Sequence, residues 1–352
     1  MSKKIIKKSK PVRRRQWDPA DADTLARESR ARREDRGAVR VTPMEDREYF
    51  TDCTPNALVI TPYGALAFVL RIDTEYLCRV DDALMDGKTS VLAPGDEVYV
   101  EEDGEDLVIR AVRPRRSKLS RPAVGRNGEQ VIAANIDCVV VVASVAKPAF
   151  NPGLIDRYLV AAQAGGARPL LVINKMDLGD REPEGVQPYR DLGLDVFNTS
   201  CAFHMGMDRL SAALAGHVSV LTGHSGVGKS SLINALEPAI RIDTQEISES
   251  TQKGRHTTTY SKLYTLDNGA TIIDTPGIKQ LGLWGVSPEE LDYYFHEIAE
   301  CAGDCRFRNC THIHEPHCAV KSAVESGAIS KARYNSYARV RQTLVEETAP
   351  EY

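Results

Sequence analysis

Gly223-His224-Ser225-Gly226-Val227-Gly228-Lys229-Ser230 is the stretch on which the fold turns. Ahead of it, Val218, Val220 and Leu221 read as a short buried strand; after it, Ser231-Leu232-Ile233-Asn234-Ala235-Leu236 reads as the opening of a helix. A strand, a glycine-rich turn and a helix in immediate succession are the context a phosphate-cradling loop requires. The glycines let the backbone curl until its N–H groups converge on phosphate oxygens, and the helix N-terminus adds a dipole that favours negative charge. Gly223 to Ser231 then form the cradle, Lys229 reaches the outer phosphates, and the Ser230 hydroxyl is a magnesium ligand. A chance Gly-rich turn is the bland alternative, and the intact spacing argues against it.

Two further motifs lie on either side. Ala270-Thr271-Ile272-Ile273 is a β-rich run ending in Asp274-Thr275-Pro276-Gly277, which sets Asp274 beside the magnesium and offers the Gly277 N–H to a γ-phosphate. Alone, such a tetrapeptide is an ordinary turn. Upstream, apolar Pro169-Leu170-Leu171-Val172-Ile173 leads into Asn174-Lys175-Met176-Asp177. A carboxylate at Asp177 can accept two hydrogen bonds from the guanine edge, a pair of donors adenine lacks, so the site selects GTP or GDP over ATP. Asn198-Thr199-Ser200-Cys201-Ala202 sits where a second base-contacting loop belongs, making Ser200 and Cys201 candidates; a plain strand-to-helix turn fits these residues equally well. The order is the telling point. Ordinary GTPases run phosphate loop, DxxG, then NKxD, whereas here the NKxD element comes first, so the domain is circularly permuted.

Lys253-Gly254-Arg255-His256-Thr257-Thr258-Thr259-Tyr260 lies in a polar stretch between phosphate loop and DTPG and reads as a switch loop, with Thr258 the favoured magnesium ligand. Many GTPases follow DxxG with a Gln that orients the attacking water. This chain has Ile278, which cannot hydrogen-bond anything, so hydrolysis must recruit another group. His256 is the nearest candidate, with a pKa range suited to proton handling near neutrality. A solvated loop histidine is the equal alternative.

The second cluster is Cys305-Arg306-Phe307-Arg308-Asn309-Cys310-Thr311-His312-Ile313-His314-Glu315-Pro316-His317-Cys318. Three thiols and a choice of imidazoles in so short a span fit one structural, four-coordinate zinc, which leaves no open position for catalysis. Spacing does not settle which histidine binds, and Cys301 competes. Disulfides are the rival reading. Nothing resembling an apolar signal or membrane-spanning run is read in the sequence, so the expectation is a reducing cytoplasm with Cys53, Cys78, Cys138 and Cys201 as small apolar fillers.

On these residues the chain resembles the RsgA family (also called YjeQ or EngC), circularly permuted GTPases of small ribosomal subunit biogenesis. The resemblance runs from about residue 54 to about residue 345, through Ala133-Ala134-Asn135-Ile136-Asp137, NKMD, GHSGVGKS, GRHTTT, DTPG and C-x4-C-x-H-x5-C. It implies zinc ligands Cys305, Cys310, His312 and Cys318, and a catalytic role for His256, with Ile278 matching the family's apolar replacement for Gln. It also implies three domains: an N-terminal OB-fold β-barrel, a central α/β P-loop GTPase domain, and a C-terminal α-helical zinc-binding domain.

Composition agrees with a multidomain chain: 352 residues and 42% apolar content suffice for two or three packed cores. Ala57 to Ile60, Ala65 to Ile72, Glu75 to Val80, Glu97 to Val100 and Leu107 to Val112 are five β-rich runs that suit a small barrel. The acidic turn Glu101-Glu102-Asp103-Gly104-Glu105-Asp106 would repel phosphate. Arg113 to Lys118 reads as a linker or barrel rim, Asp137 to Val142 as the first buried strand of the GTPase sheet, and Pro288 to Ala299 and Ala319 to Glu346 as helices flanking the zinc knuckle. Arg333, Arg339 and Arg341 put charge on the last helix, which is either a solvated face or, as the resemblance implies, an RNA face. The expected divisions are 1–50, a disordered basic arm; 51–116, the barrel; 117–286, the GTPase domain; and 287–352, the zinc module. Net charge, 45 basic against 49 acidic residues, is ordinary, but the first fifteen residues contain no acid and read as an arm for phosphate backbones, with a targeting peptide and a solvated tail without a partner as rivals.

The reading is therefore a GTPase stimulated by the small ribosomal subunit and its rRNA, hydrolysing GTP to GDP and phosphate late in subunit assembly, with magnesium and one zinc. Neither a membrane nor DNA is expected as partner, and a monomer is the default. The alternative is an RNA-binding assembly factor using GTP as a non-catalytic affinity switch; a P-loop kinase or ATPase is opposed by Asp177.

Overall fold

The computed structural model describes residues 51–86, 89–123, 128–240, 242, 262–274 and 282–348. The basic arm, the stretch Lys253 to Tyr260 with His256 and Thr258, and Thr275 to Ile278 with Gly277 lie outside the described residues.

Near the start, β1 (Ala57–Tyr63), β2 (Leu66–Arg71), β3 (Thr74–Val80), a short pair β4 (Met85–Asp86) and β5 (Thr89–Ser90), β6 (Glu97–Asp103) and β7 (Asp106–Val112) follow in turn. Five of them close into a barrel in the order β1-β2-β3-β7-β6. β3 and β7 pair in parallel and the remaining neighbours antiparallel, the topology of an OB-fold. Alternation puts Val59, Ala67, Val69, Cys78, Val80, Val98 and Val100 inside. The acidic turn between β6 and β7 is partly neutralised from within: Arg110 donates to Asp103 at 2.7 Å, Glu101 at 3.1 Å and Asp81 at 2.6 Å.

Arg113 to Lys118 is no free linker. Arg115 is buried and grips buried Asp96 with two hydrogen bonds of 2.7 Å each. Lys118 already begins β8 (Lys118–Pro122), which forms a hairpin with β9 (Glu129–Ala134). Beyond it, Asn135 accepts from the Arg116 N–H at 3.0 Å and donates to the Gly95 carbonyl at 2.9 Å. Gly95 has φ +89°, and a Cβ there would lie 2.2 Å from the Ala134 oxygen. Only glycine permits that approach, so barrel and hairpin meet backbone to backbone.

The GTPase domain follows as β10 (Cys138–Ser144), α1 (Pro152–Ala164), β11 (Arg168–Asn174), α2 (Gln187–Asp191), β12 (Val196–Asn198), α3 (Met207–Leu214), β13 (Val218–Thr222), α4 (Lys229–Leu236), β14 (Lys262–Thr265) and β15 (Thr271–Asp274). They build a six-stranded sheet in the order β12-β11-β10-β13-β15-β14, parallel except for the edge strand β14. β10 is buried at every position, as a central strand covered on both faces must be. Val140, Val142, Leu170 and Val172 pack toward Leu210, Leu214, Leu232 and Ile233. Their sequence neighbours Val139, Val141, Leu171 and Ile173 face Ile155, Tyr158 and Leu159 of α1, and that core continues into Phe295, Ile298, Tyr337 and Leu344. The last four belong to the zinc module.

That module comprises a 3-10 turn (Leu291–Tyr294), α5 (His296–Ala302), α6 (Ala319–Glu325) and α7 (Lys331–Thr348). The single helix expected from Ala319 to Glu346 is two helices. The break falls at Ser326 to Ser330, where Gly327 takes φ +81° and Ile329 is buried. Arg333 also departs from expectation. It is buried, bonded to Asp156 of α1 and to Glu297 of α5 at 2.6 Å, and lies 4.6 Å from the Phe295 ring centroid. Arg333 is therefore unavailable to RNA; it clamps the zinc module to the GTPase core.

Candidate nucleotide site and metal centre

Between β13 and α4 the chain turns through the phosphate loop. Gly228 caps α4 with φ +97°, and a Cβ there would stand 2.4 Å from Asn174 Nδ2. The Lys229 ammonium folds back on the loop, donating to the carbonyls of Gly223 at 2.9 Å and His224 at 3.1 Å. Burial pushes its pKa down and the Asp274 carboxylate pulls it back up. Asp274 ends β15, level with Leu221 of β13, so the adjacent strand brings a largely buried carboxylate toward the root of the loop. Ser230 and Ser231, half-buried, occupy the first turn of α4.

The residues expected to read the base assemble across β11 and β12. Asn174, at the end of β11, is 1% exposed. Its Nδ2 donates to the Val227 carbonyl at 2.9 Å, while its Oδ1 accepts from Thr199 Oγ1 at 3.1 Å and Cys201 Sγ at 3.6 Å. Lys175 is left-handed, φ +59°, and its Nζ donates to the Lys147 carbonyl at 2.5 Å. Asp177 Oδ1 accepts from Ser200 Oγ at 2.5 Å. The structure thus brings Ser200 and Cys201 against Asp177 and Asn174, where the residues alone left a plain turn equally open. Thr199 and Lys147 were missed. A three-residue strand gives Thr199 too little periodicity to stand out, and Lys147 acts through its backbone, which no side-chain pattern reports. Ser144, Pro148, Asn151 and Tyr158 line a cavity of about 120 Å³ that opens against Gly223 and His224.

The candidate metal centre is separate. Cys305, Cys310, His312 and Cys318 present ligand atoms within 4.8 Å of one another. Cys305 and Cys318 sulfurs are 3.8 Å apart, and His312 Nδ1 lies 3.5 Å and 3.4 Å from them. A tetrahedron with zinc–sulfur bonds of about 2.3 Å and a zinc–nitrogen bond of about 2.0 Å has edges of about 3.8 and 3.5 Å, so the donor set fits zinc. As free thiols, Cys305 and Cys310 are raised by burial, Cys310 to about 12; a bound dication reverses this by stabilising thiolate. Burial holds the His312 pKa down and keeps its ring available as a neutral ligand. The knuckle is braced by Tyr334 and Tyr337 hydroxyls on the His312 and Thr311 carbonyls, at 2.7 and 3.2 Å. Glu315 accepts from the Thr311 N–H and hydroxyl at 2.8 and 2.7 Å; although burial opposes it, these bonds hold the carboxyl at about 2.

Fold and site together define a circularly permuted P-loop GTPase, carried between an OB barrel and a Cys3His module. Residues 112–284 match the model of the RsgA GTPase family. The chain is 38% identical over 300 residues to the small ribosomal subunit biogenesis GTPase RsgA of Haemophilus influenzae, covering 82% of this chain and 85% of that protein. It is 40% identical over 298 residues to the Pseudomonas putida protein of that name, covering 83% and 86%. The chain belongs to the RsgA GTPase family and is a GTP-hydrolysing enzyme. Among solved structures it is similar to YjeQ from Thermotoga maritima, with TM-score 0.64, 30% identity and coverage of 83% of this chain and 98% of that one. It is also similar to YloQ, a circularly permuted GTPase, with TM-score 0.61, 28% identity, and 86% and 98% covered. Among the described residues no helix is long and apolar enough to cross a membrane.

Proposed function

We propose that this chain acts in maturation of the small ribosomal subunit, binding the assembling particle through its rRNA and hydrolysing GTP when that particle stimulates it. The observation that carries the proposal is the junction of guanine-reading turn and phosphate loop at Asn174, in a chain whose relatives are named for this role. Asp177, Asn174 and Lys175, with Ser200 and Cys201, hold the base. Backbone N–H groups from Gly223 to Ser231 take the phosphates, and Lys229 leaves the Gly223 and His224 carbonyls to pair with the outer ones. Ser230 and Asp274, joined by Thr258, would hold a magnesium ion, which supplies charge neutralisation at the β- and γ-phosphates. Gly277 offers an N–H to the γ-phosphate. With Ile278 unable to orient water, His256 takes that task once the partner positions it, so hydrolysis by the isolated protein is slow. One zinc on Cys305, Cys310, His312 and Cys318 is structural. The protein works in the cytoplasm as a monomer.

Steady-state GTP and ATP turnover, with and without isolated small subunits, tests this reading. Strong stimulation of GTP turnover alone is expected. Absence of subunit binding would reject the ribosomal role, and GTP-dependent binding without turnover would favour a non-catalytic switch. His256→Ala is expected to keep GTP affinity while losing most of the stimulated rate; unchanged stimulated turnover rejects its role.

A further inference from the structure

The loop after β12 is built more tightly than a strand-to-helix connection needs. Ser200 and Met205 exchange both backbone hydrogen bonds at 3.0 Å, closing Cys201 to His204 into a turn, and Ser200 Oγ also accepts from the Phe203 N–H at 3.4 Å. The half-buried Cys201 is held there with its sulfur 3.6 Å from Asn174 Oδ1. The buried Asn174 amide is constrained at both ends: its oxygen faces Thr199 Oγ1 and Cys201 Sγ, its nitrogen the Val227 carbonyl. Flipping the amide would set its oxygen against the Val227 carbonyl, with no donor between them, leaving buried acceptors unpaired.

We propose that Cys201 is a positioning residue of the nucleotide site, its S–H donating to Asn174 Oδ1 and, with Thr199, fixing the amide that ties the guanine-reading turn to the phosphate loop. This rests on the reading of Asn174 to Asp177 as the guanine site. Burial raises the thiol pKa, so the proton needed for donation is retained at neutral pH. A hydroxyl can do the same work; a methyl cannot.

The test uses the full chain and a fluorescent GDP analogue. Cys201→Ala is expected to weaken binding about 2- to 10-fold, the worth of one modest hydrogen bond, through faster dissociation. Cys201→Ser recovers most of it. ATP, which lacks the guanine edge, is expected to lose less affinity than GTP, so discrimination for GTP over ATP narrows. An alanine variant that binds like wild type overturns the proposal, as does a serine variant as weak as alanine, which would mean the sulfur acts only by packing. Asp177→Asn separates the two levels. If it leaves the preference for GTP intact, the guanine-site reading fails and the proposal with it; if it abolishes the preference while Cys201→Ala is silent, only the positioning role fails.

Discussion

Gly228 carries two requirements at one Cα. Its φ of +97° is costly for any residue with a Cβ, and the space a Cβ would fill is taken by the Asn174 amide at 2.4 Å. Gly228→Ala is expected to cost about 1–3 kcal/mol of local strain and loosen the bond from Asn174 to Val227, lowering GTP affinity about tenfold or more. Calorimetric titration with GDP checks this, and wild-type affinity would refute it. At this scale the sequence was legible wherever chemistry fixes spacing. The phosphate loop must curl, so its glycines recur at set intervals; the guanine reader must present an amide and a carboxylate three residues apart. Cys201 and Thr199 carry no such obligation, since any small donor at the end of a short strand would serve.

Among the elements, α7 shows why a charge can be misread. Arg333, Tyr337, Val340 and Leu344 fall at helical spacing on one face, and all four are buried. Arginine on such a stripe looks like surface charge until a partner appears, and Asp156, from a helix remote in sequence, leaves no mark near it. The Asp156 and Glu297 carboxylates keep the guanidinium charged against the pull of burial. Arg333→Met leaves Asp156 buried without its cation and is expected to destabilise the protein by about 3–5 kcal/mol, whereas adding Asp156→Leu restores part of the loss. Chemical denaturation of both variants measures this; a double variant no better than the single one would show that packing, not charge, dominates. The Cys3His knuckle is tested differently, because its four donors fit a metal. Chelation is expected to remove one zinc per chain, lower the melting temperature and speed amide exchange across residues 305–318, while nucleotide binding persists. A melting temperature indifferent to chelator contradicts a structural metal.

For the molecule as a whole, the five β-rich runs, the alternating sheet and the cysteine cluster foretold the three modules, because each obeys its own periodicity. How they join was not foretold, since the seam is written in backbone contacts and single buried pairs. Gly282 belongs to that seam: a Cβ on it would approach Pro122 Cδ to 2.5 Å, so the chain re-enters the described structure pressed on the β8–β9 hairpin. The proline ring cannot yield as a flexible side chain would. Gly282→Ala is expected to cost about 1–3 kcal/mol by overpacking and to change subunit-stimulated GTP turnover with little change in GDP affinity; stability and stimulated rate both at wild-type values would refute it.

The circular order has a mechanical corollary. In the unpermuted arrangement, the polypeptide leaving DxxG continues into the same domain, and the nucleotide sheet absorbs whatever that segment does. Here β15 ends at Asp274, and from Gly282 the backbone is already packed on the hairpin before entering the 3-10 turn at Leu291. The next described points downstream of Asp274 are the hairpin that abuts the barrel and the helices that carry the Cys3His cluster. In this order the strand that carries Asp274 is followed along the chain, among the described residues, by the helices of the flanking module rather than by a further strand of the nucleotide sheet.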